Sequence, residues 1–266
     1  MIFYKTDEEI ELVRQSCLVV SKVLALVAGM IRPGLTGDVI DKAAETLIRD
    51  HGGVPSFKGY NGFPATLCVS VNECVVHGIP TKEQEFKEGD IVSVDCGVFL
   101  NNFHGDAAYT FALGQVDPSV MRLLKVTRDS LYKGIEQAVA GKRLGDVSFA
   151  IQQYAERENR YGIVRELVGH GVGHDLHEAP EVPNYGKRGS GPILKEGLVI
   201  AIEPMVNLGK KDVKTARDGW TVLTRDKRPS AHYEHTVAIR KDKADVLSDH
   251  TGIEAAILQN PNVQAI

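Results

Sequence analysis

Cysteine is scarce and scattered. The chain has four, Cys17, Cys68, Cys74 and Cys96, with no Cys-x-x-Cys pair and no disulfide-like spacing, so a reduced, intracellular protein is expected. Basic residues are not in excess. The net charge of −4 gives no electrostatic footprint for nucleic acid and no polybasic patch for a membrane surface. No long apolar run stands out: the richest stretch, residues 19–31, is broken by Ser21 and Lys22 and is too short to span a bilayer. The first residues are not a basic segment leading into an apolar one, so no signal peptide is expected. There is no Gly-x-Ser-x-Gly elbow and no phosphate-binding P-loop, and the glycine-rich stretches lack a dinucleotide fingerprint. Serine-nucleophile, nucleotide and dehydrogenase chemistry lose their usual markers.

What is present is ordinary for a globular enzyme: 266 residues, 43% hydrophobic and 25% charged, enough for one large domain or two tightly fused halves. Thr6 with Glu9 makes a capping box, and Ile10, Val13, Cys17, Val20, Leu24 and Val27 follow at helical spacing as far as Pro33-Gly34. A second helix begins near Thr36, carries Ile40, Ala43, Ala44, Leu47 and Ile48 on one face, and stops at Gly52-Gly53. Asp117-Pro118 opens a third, and a fourth holds Val147, Ala150, Ile151 and Tyr154. Residues 66–79 read as a hairpin turning at Asn72-Glu73, which would set Cys68 opposite His77. From about residue 162 to 247 the pattern is strand-like with glycine-rich turns.

One repeat runs through this order. Gly37-Asp38-Val39 recurs as Gly145-Asp146-Val147 and Lys87-Glu88-Gly89 as Lys195-Glu196-Gly197, both at an offset of 108 that also carries Asp95 onto Glu203. His77-Gly-Ile-Pro80 is echoed by His177-Glu-Ala-Pro180 at a nearby offset. Two coincidences at one offset predict a duplicated helix–helix–sheet unit with a site between its halves.

Chemistry concentrates in residues 90–113, where two alternating strands flank a loop containing Asn101, Asn102 and Gly105. Ile91, Ser93 and Asp95 share one face of the first strand, and Asp106, Ala108, Thr110 and Ala112 one face of the second, with bulky residues behind. The pattern returns with Val199, Ala201 and Glu203, and again with His232, Glu234, Thr236 and Ala238. Four carboxylates on one surface repel unless a cation lies among them, and two divalent ions would balance them formally. The segment GHGVGHDLHEAP (169–180) adds His170, His174 and His177; its glycines argue against a helix, so only one or two can face a common site. His170 and His177 are the candidates, and His174 is expected to be exposed. A site with one imidazole and four carboxylates is oxygen-rich, which favours Mn(II), Fe(II) or Co(II) over a structural Zn(II).

Taken together, NGFPATLCVSVNECVVHGIP (61–80), SVDCGV with FHGDAAYTF (93–111), GHGVGHDLHEAP, IEPMVN (202–207), DGWT (218–221) and YEHT (233–236) resemble the type I methionine aminopeptidases of the bacterial, extension-free kind, over essentially the whole length. The resemblance implies an α/β (α+β) pita-bread (creatinase/aminopeptidase) fold, in which two pseudo-symmetric helix–helix–sheet halves surround a curved antiparallel sheet. It implies one catalytic domain over 1–266, its halves roughly 1–114 and 115–250. It implies five metal ligands, Asp95, Asp106, His170, Glu203 and Glu234, with Asp106 and Glu234 shared by two divalent ions (cobalt, manganese or iron(II)). It makes Glu203 a proton shuttle, His177 a stabiliser of the tetrahedral oxyanion and His77 a contact to the scissile amide or an aid to the leaving amine. A methionine pocket would be lined by Tyr60, Phe63, Cys68, Leu176 and Trp220, with Phe57 nearby. A monovalent cation near Asn72, Cys74 and Ser230 is a further family trait. The implied reaction is removal of the initiator methionine from nascent polypeptide N-termini with a small second residue, by a cytoplasmic monomer that can associate with the ribosome and binds neither specific nucleic acid nor membrane. The chain departs from the family at Ala107-Ala108, where Thr-Ser is common. Leu176 replaces an aromatic, Phe63 a frequent tyrosine and His232 a usual glutamine; none is expected to touch a ligand. Two rival readings share the fold, a peptidase cleaving before proline and a non-catalytic peptide-binding relative; the first usually carries a further N-terminal domain and the second has lost ligands.

Overall fold

A computed structural model describes residues 1–266. Strands of three residues or more are numbered. The first half holds α1 (Asp7–Met30), α2 (Gly37–Asp50), β1 (Leu67–Val71), β2 (Cys74–Val76), β3 (Ile91–Leu100) and β4 (Phe103–Leu113). The second holds α3 (Pro118–Ile135), α4 (Leu144–Gln152), β5 (Gly169–Gly171), β6 (Glu178–Val182), β7 (Val199–Ile202) and β8 (Met205–Asn207). It continues through β9 (Val213–Thr215), β10 (Val222–Thr224), β11 (Ser230–His232), β12 (His235–Ala238) and α5 (Thr251–Gln259).

Local chemistry explains most of these boundaries. Thr6 Oγ1 accepts from the Glu9 amide at 3.2 Å and the Glu9 carboxylate from the Thr6 amide at 2.8 Å, closing the capping box of α1. Asp117 caps α3, with Pro118 in its first turn. The interrupted run at 19–31 understates α1: the helix has 24 residues and a mean hydropathy of 1.6 in its most apolar window, enough by length and composition to cross a membrane. Its apolar face is instead a core face, with Val13, Cys17, Val20, Leu24 and Val27 buried against β3, β4 and α5. The short α5 has no strong periodic signal; Ile253 and Ile257 hold it to the core, and the Asn260 amide donates to the Ala28 and Ile31 carbonyls at 2.8 Å, finishing the open end of α1.

The architecture is the pita-bread arrangement: two five-stranded antiparallel sheets, accompanied by two three-stranded ones (β11-β8 with Gly162–Ile163, and β9-β10-β2), with their helices outside. One sheet joins β1, β3 and β4, with short edge pieces at Val54–Pro55 and Val263–Gln264; the other runs β12-β7-β5-β6, edged by Asp245–Val246. Asn101 and Asn102, both at positive φ, form the whole β3–β4 turn, so Gly105 falls inside β4 and not in the loop. A Cβ on Gly105 would lie 2.4 Å from the Cys17 nitrogen, so the missing side chain is what lets α1 lie on this hairpin. The repeat has structural counterparts. Thr36 bridges Glu85 and Arg143 bridges Ile193, while the turn amides of Gly89 and Gly197 donate to the Leu113 and Ile239 carbonyls.

The hairpin expected over 66–79 does not form. β1 pairs with β3, which sets Cys68 opposite Asp95, and β2 pairs with β10. The Asn72 side chain donates to Asp90 at 2.8 Å and accepts from the Ile91 amide at 3.1 Å, stapling the turn to β3. Val69 N–H reaches the Gly78 carbonyl at 2.8 Å, so His77 is not across from Cys68; at φ 58° it turns the chain out of β2.

Candidate metal centre and substrate cavity

The β3–β4 register pairs Asp95 with Ala108 and Asp106 with Gly97, which makes the two aspartates diagonal neighbours on one face. Glu203 and Glu234 do not lie within strands. Glu203 sits in the break between β7 and β8, and Glu234 in the break between β11 and β12. Pairing resumes on both sides, Ile202 with His235 and Met205 with His232, so the two glutamates share one gap. Two bonds tie that gap to β4: Glu234 N–H to the Ala108 carbonyl at 3.0 Å and Thr236 Oγ1 to the Asp106 carbonyl at 2.8 Å. His170 arrives from β5, whose pairing with β7 at Gly171 and Ile200 brings it alongside.

Side chains converge accordingly. Asp106, His170 and Glu234 each offer a ligand atom, all within 4.8 Å of one another. His170 Nε2 lies 3.6 Å from Glu203 Oε1 and 3.9 Å from Asp106 Oδ2. His170 Nδ1 is 2.9 Å from the Gly171 carbonyl, so Nδ1 carries the proton and the Nε2 lone pair faces the acids. Burial, reinforced by mutual repulsion, raises Asp106 and Glu234 well above the carboxylate range; burial also pushes Asp95 up to about 7 and Glu203 up to about 8. Burial lowers His170 to about 3, keeping it neutral. Asp95 Oδ1, Asp106 Oδ1 and Glu234 Oε1 are buried without a hydrogen-bond partner. Buried carboxylate oxygens left unpaired are costly, each by roughly several kcal/mol when ionised, and a divalent cation is the partner that a neutral imidazole and four carboxylates fit.

A cavity of about 200 Å³ opens onto this centre. All five acids and imidazoles expected as ligands line it, as do His77, His177, Tyr60, Phe63, Cys68, Leu176, Trp220 and Phe57. Phe57, Phe63, Cys68 and Leu176 are buried together as an apolar wall, with Trp220 packed against them. Phe63 and Trp220 meet edge to face, ring centres 5.2 Å apart. His177 is at the rim, its Nδ1 2.9 Å from the Tyr60 hydroxyl. A tyrosine hydroxyl donating to Nδ1 leaves Nε2 as the protonated nitrogen. His77 is half-buried and lowered by burial to about 4, hence neutral. His174 is exposed and bonds the Asn102 carbonyl, away from the centre. The sequence did not single out Val76, Leu167, Val168 and Met205, which complete the wall. Only Met205, two residues after Glu203 in the IEPMVN segment, carries a positional hint. Asn72 and Ser230 adjoin elsewhere, joined by the Ser230 N–H to Asn72 carbonyl bond at 2.9 Å.

Residues 11–241 match metallopeptidase family M24. The chain belongs to that family. It is 50% identical over 248 residues to the methionine aminopeptidase of Clostridium acetobutylicum, covering 93% of this chain and 99% of that one. The crystal structure of methionine aminopeptidase from Thermotoga maritima superposes with a TM-score of 0.92 at 44% identity, covering 94% of this chain and all of that one. The M24 fold extends further: the prolidase from Pyrococcus furiosus matches with a TM-score of 0.76 at 23% identity, this chain covering 65% of its length. That likeness concerns the fold alone.

Proposed function

We propose that this M24 metallopeptidase is a methionine aminopeptidase, hydrolysing the bond after an N-terminal methionine that precedes a small residue. The observation that carries this reading is a single small cavity holding both a five-residue donor set with unpaired oxygens and an apolar aromatic wall.

Asp95, Asp106, His170, Glu203 and Glu234 would hold two divalent ions, of manganese, iron(II) or cobalt. When bound, such ions lower the pKa of water and polarise a carbonyl. The side chains do the rest. A free N-terminal amine keeps a lone pair to offer this centre, so a free terminus seats where an acetylated one does not. Phe57, Phe63, Cys68, Leu176 and Trp220 enclose the methionine side chain, whose thioether packs well on aromatic edges. Glu203, whose carboxylate faces the cavity, accepts a proton from the attacking water and returns it to the leaving amine nitrogen. His177 donates from Nε2 to the carbonyl oxygen as it gains charge, oriented by Tyr60, and His77 contacts the scissile amide. The chain works as one catalytic domain in the cytoplasm on nascent chains.

Reconstituting the apoprotein with Mn(II), Fe(II) or Co(II) and assaying Met-Ala-Ser beside an X-Pro peptide tests the assignment. Methionine release from the first and none from the second is expected; no methionine release with any of the three metals would falsify it. Turnover of the X-Pro peptide alone would assign the prolidase activity instead.

A further inference from the structure

The metal centre uses one face of the Glu203 carboxylate, and the other face has a neighbour with no role. Glu203 Oε1 lies 3.6 Å from His170 Nε2, while Oε2 lies 3.6 Å from His232 Nε2. His232 is at the end of β11, two residues before Glu234, and only 1% of its surface is exposed. Its Nε2 is buried with no hydrogen-bond partner. An imidazole taken fully out of water with a bare ring nitrogen costs roughly 1–3 kcal/mol unless that nitrogen serves something.

We infer that His232 is a positioning residue for Glu203, presenting an Nε2–H to Oε2 across 3.6 Å and so leaving Oε1 as the oxygen turned toward His170 and the metal. The inference rests on the metallopeptidase reading of this centre. Two observations favour a donor over a sixth metal ligand. Asp106, His170 and Glu234 converge within 4.8 Å, and His232 is not among them; its one close carboxylate is Glu203. With metal bound and Glu203 ionised, its oxygens only accept, so the nitrogen facing Oε2 carries the hydrogen.

The backbone that carries the ring is pinned. His232 N–H donates to Thr110 Oγ1 at 3.0 Å, and that hydroxyl donates to the His232 carbonyl at 2.7 Å. Ser93 Oγ, 2.8 Å from Thr110 Oγ1, supplies the remaining hydrogen to this chain of bonds. β11 is thereby locked to the β3–β4 hairpin that carries Asp95 and Asp106, so the donor to Glu203 is fixed in the same frame as the other ligands. Groups that orient a ligand in this way alter metal affinity or activity by about 10–100-fold when removed.

The test compares His232→Gln, which keeps an N–H donor, with His232→Met, which fills the space without one. Each is measured for kcat, KM and metal affinity by calorimetry, with thermal denaturation as the fold control. His232→Met should lose about 10–100-fold in kcat and in affinity for the weaker-bound ion at unchanged KM, and His232→Gln should restore most of both. Wild-type kcat and metal affinity in a folded His232→Met would overturn the inference, as would a His232→Gln loss as large as that of His232→Met. Should the methionine variant not fold, ¹⁵N-histidine spectra of zinc-loaded wild-type protein decide: a protonated Nε2 at His232 supports the donor, and an unprotonated Nε2 rules it out. Failure of the wild-type enzyme to bind metal or release methionine would instead remove the underlying reading.

Discussion

At the scale of residues, the four buried carboxylates set an unusual pH dependence. In the metal-free protein their folded-state proton affinities exceed those of the unfolded chain, so their stabilising contribution is complete below about pH 4 and is lost as pH rises through the raised values. His77 and His170 run the other way: depressed by burial, they lose stabilisation as pH falls below about 6.5. Above about pH 6.5 the carboxylates dominate. Thermal melts of chelator-treated protein should therefore show Tm falling from pH 6.5 to 8, and the gap between metal-loaded and metal-free protein widening; a constant or shrinking gap would count against the cradle. Glu203→Gln removes one of these acids. It should melt higher than wild type when metal-free at pH 8, yet lose about 10²–10⁴-fold in kcat. Wild-type turnover in that variant would remove Glu203 as the proton shuttle. The four acids that converge here were legible because an acid on a small-residue face is a local pattern that recurs. His232 was visible only as a departure from relatives; its link to Glu203 runs from the end of β11 to the break between β7 and β8 and has no local signature.

The elements carry a different lesson. Helices α1 to α3 followed from caps, apolar period and stop residues, all local features. Strand partners did not, because each edge between residues 66 and 79 had several candidates and side-chain staples such as Asn72 to Asp90 chose among them. The Glu203 and Glu234 breaks were also hidden: alternation continues through both, and only pairing on either side shows the interruption. Gly105 is the tightest sequence constraint on α1 against its hairpin. Gly105→Ala should lose about 1–3 kcal/mol, read as a drop of several degrees in Tm, because the new methyl meets helix backbone. An unchanged Tm would mean that the helix can shift away freely.

In the whole molecule, residues as distant in sequence as Asp95 and Glu234 share a centre because the Glu234 gap is bonded to β4, through Glu234 N–H to the Ala108 carbonyl and Thr236 Oγ1 to the Asp106 carbonyl. Each half contributes two acids, Asp95 and Asp106 from within β3 and β4 and Glu203 and Glu234 from the breaks beside β7 and β12, and the cavity opens among them. The first half's resemblance to the second was legible at one offset; the apolar wall was less so, since Val76, Leu167 and Val168 look like any core residue until the cavity exposes them. The claim that joins these scales is that the five donors form a metal cradle without which the cavity cannot hydrolyse. Its most direct measurement titrates Mn(II) into chelator-treated protein, following bound metal by equilibrium dialysis and methionine release from Met-Ala-Ser in the same samples. No release without metal and a rise that tracks occupancy, both abolished by Asp106→Asn, are the predicted result. Full release from metal-free protein, or an Asp106→Asn variant that binds metal and turns over like wild type, would contradict it.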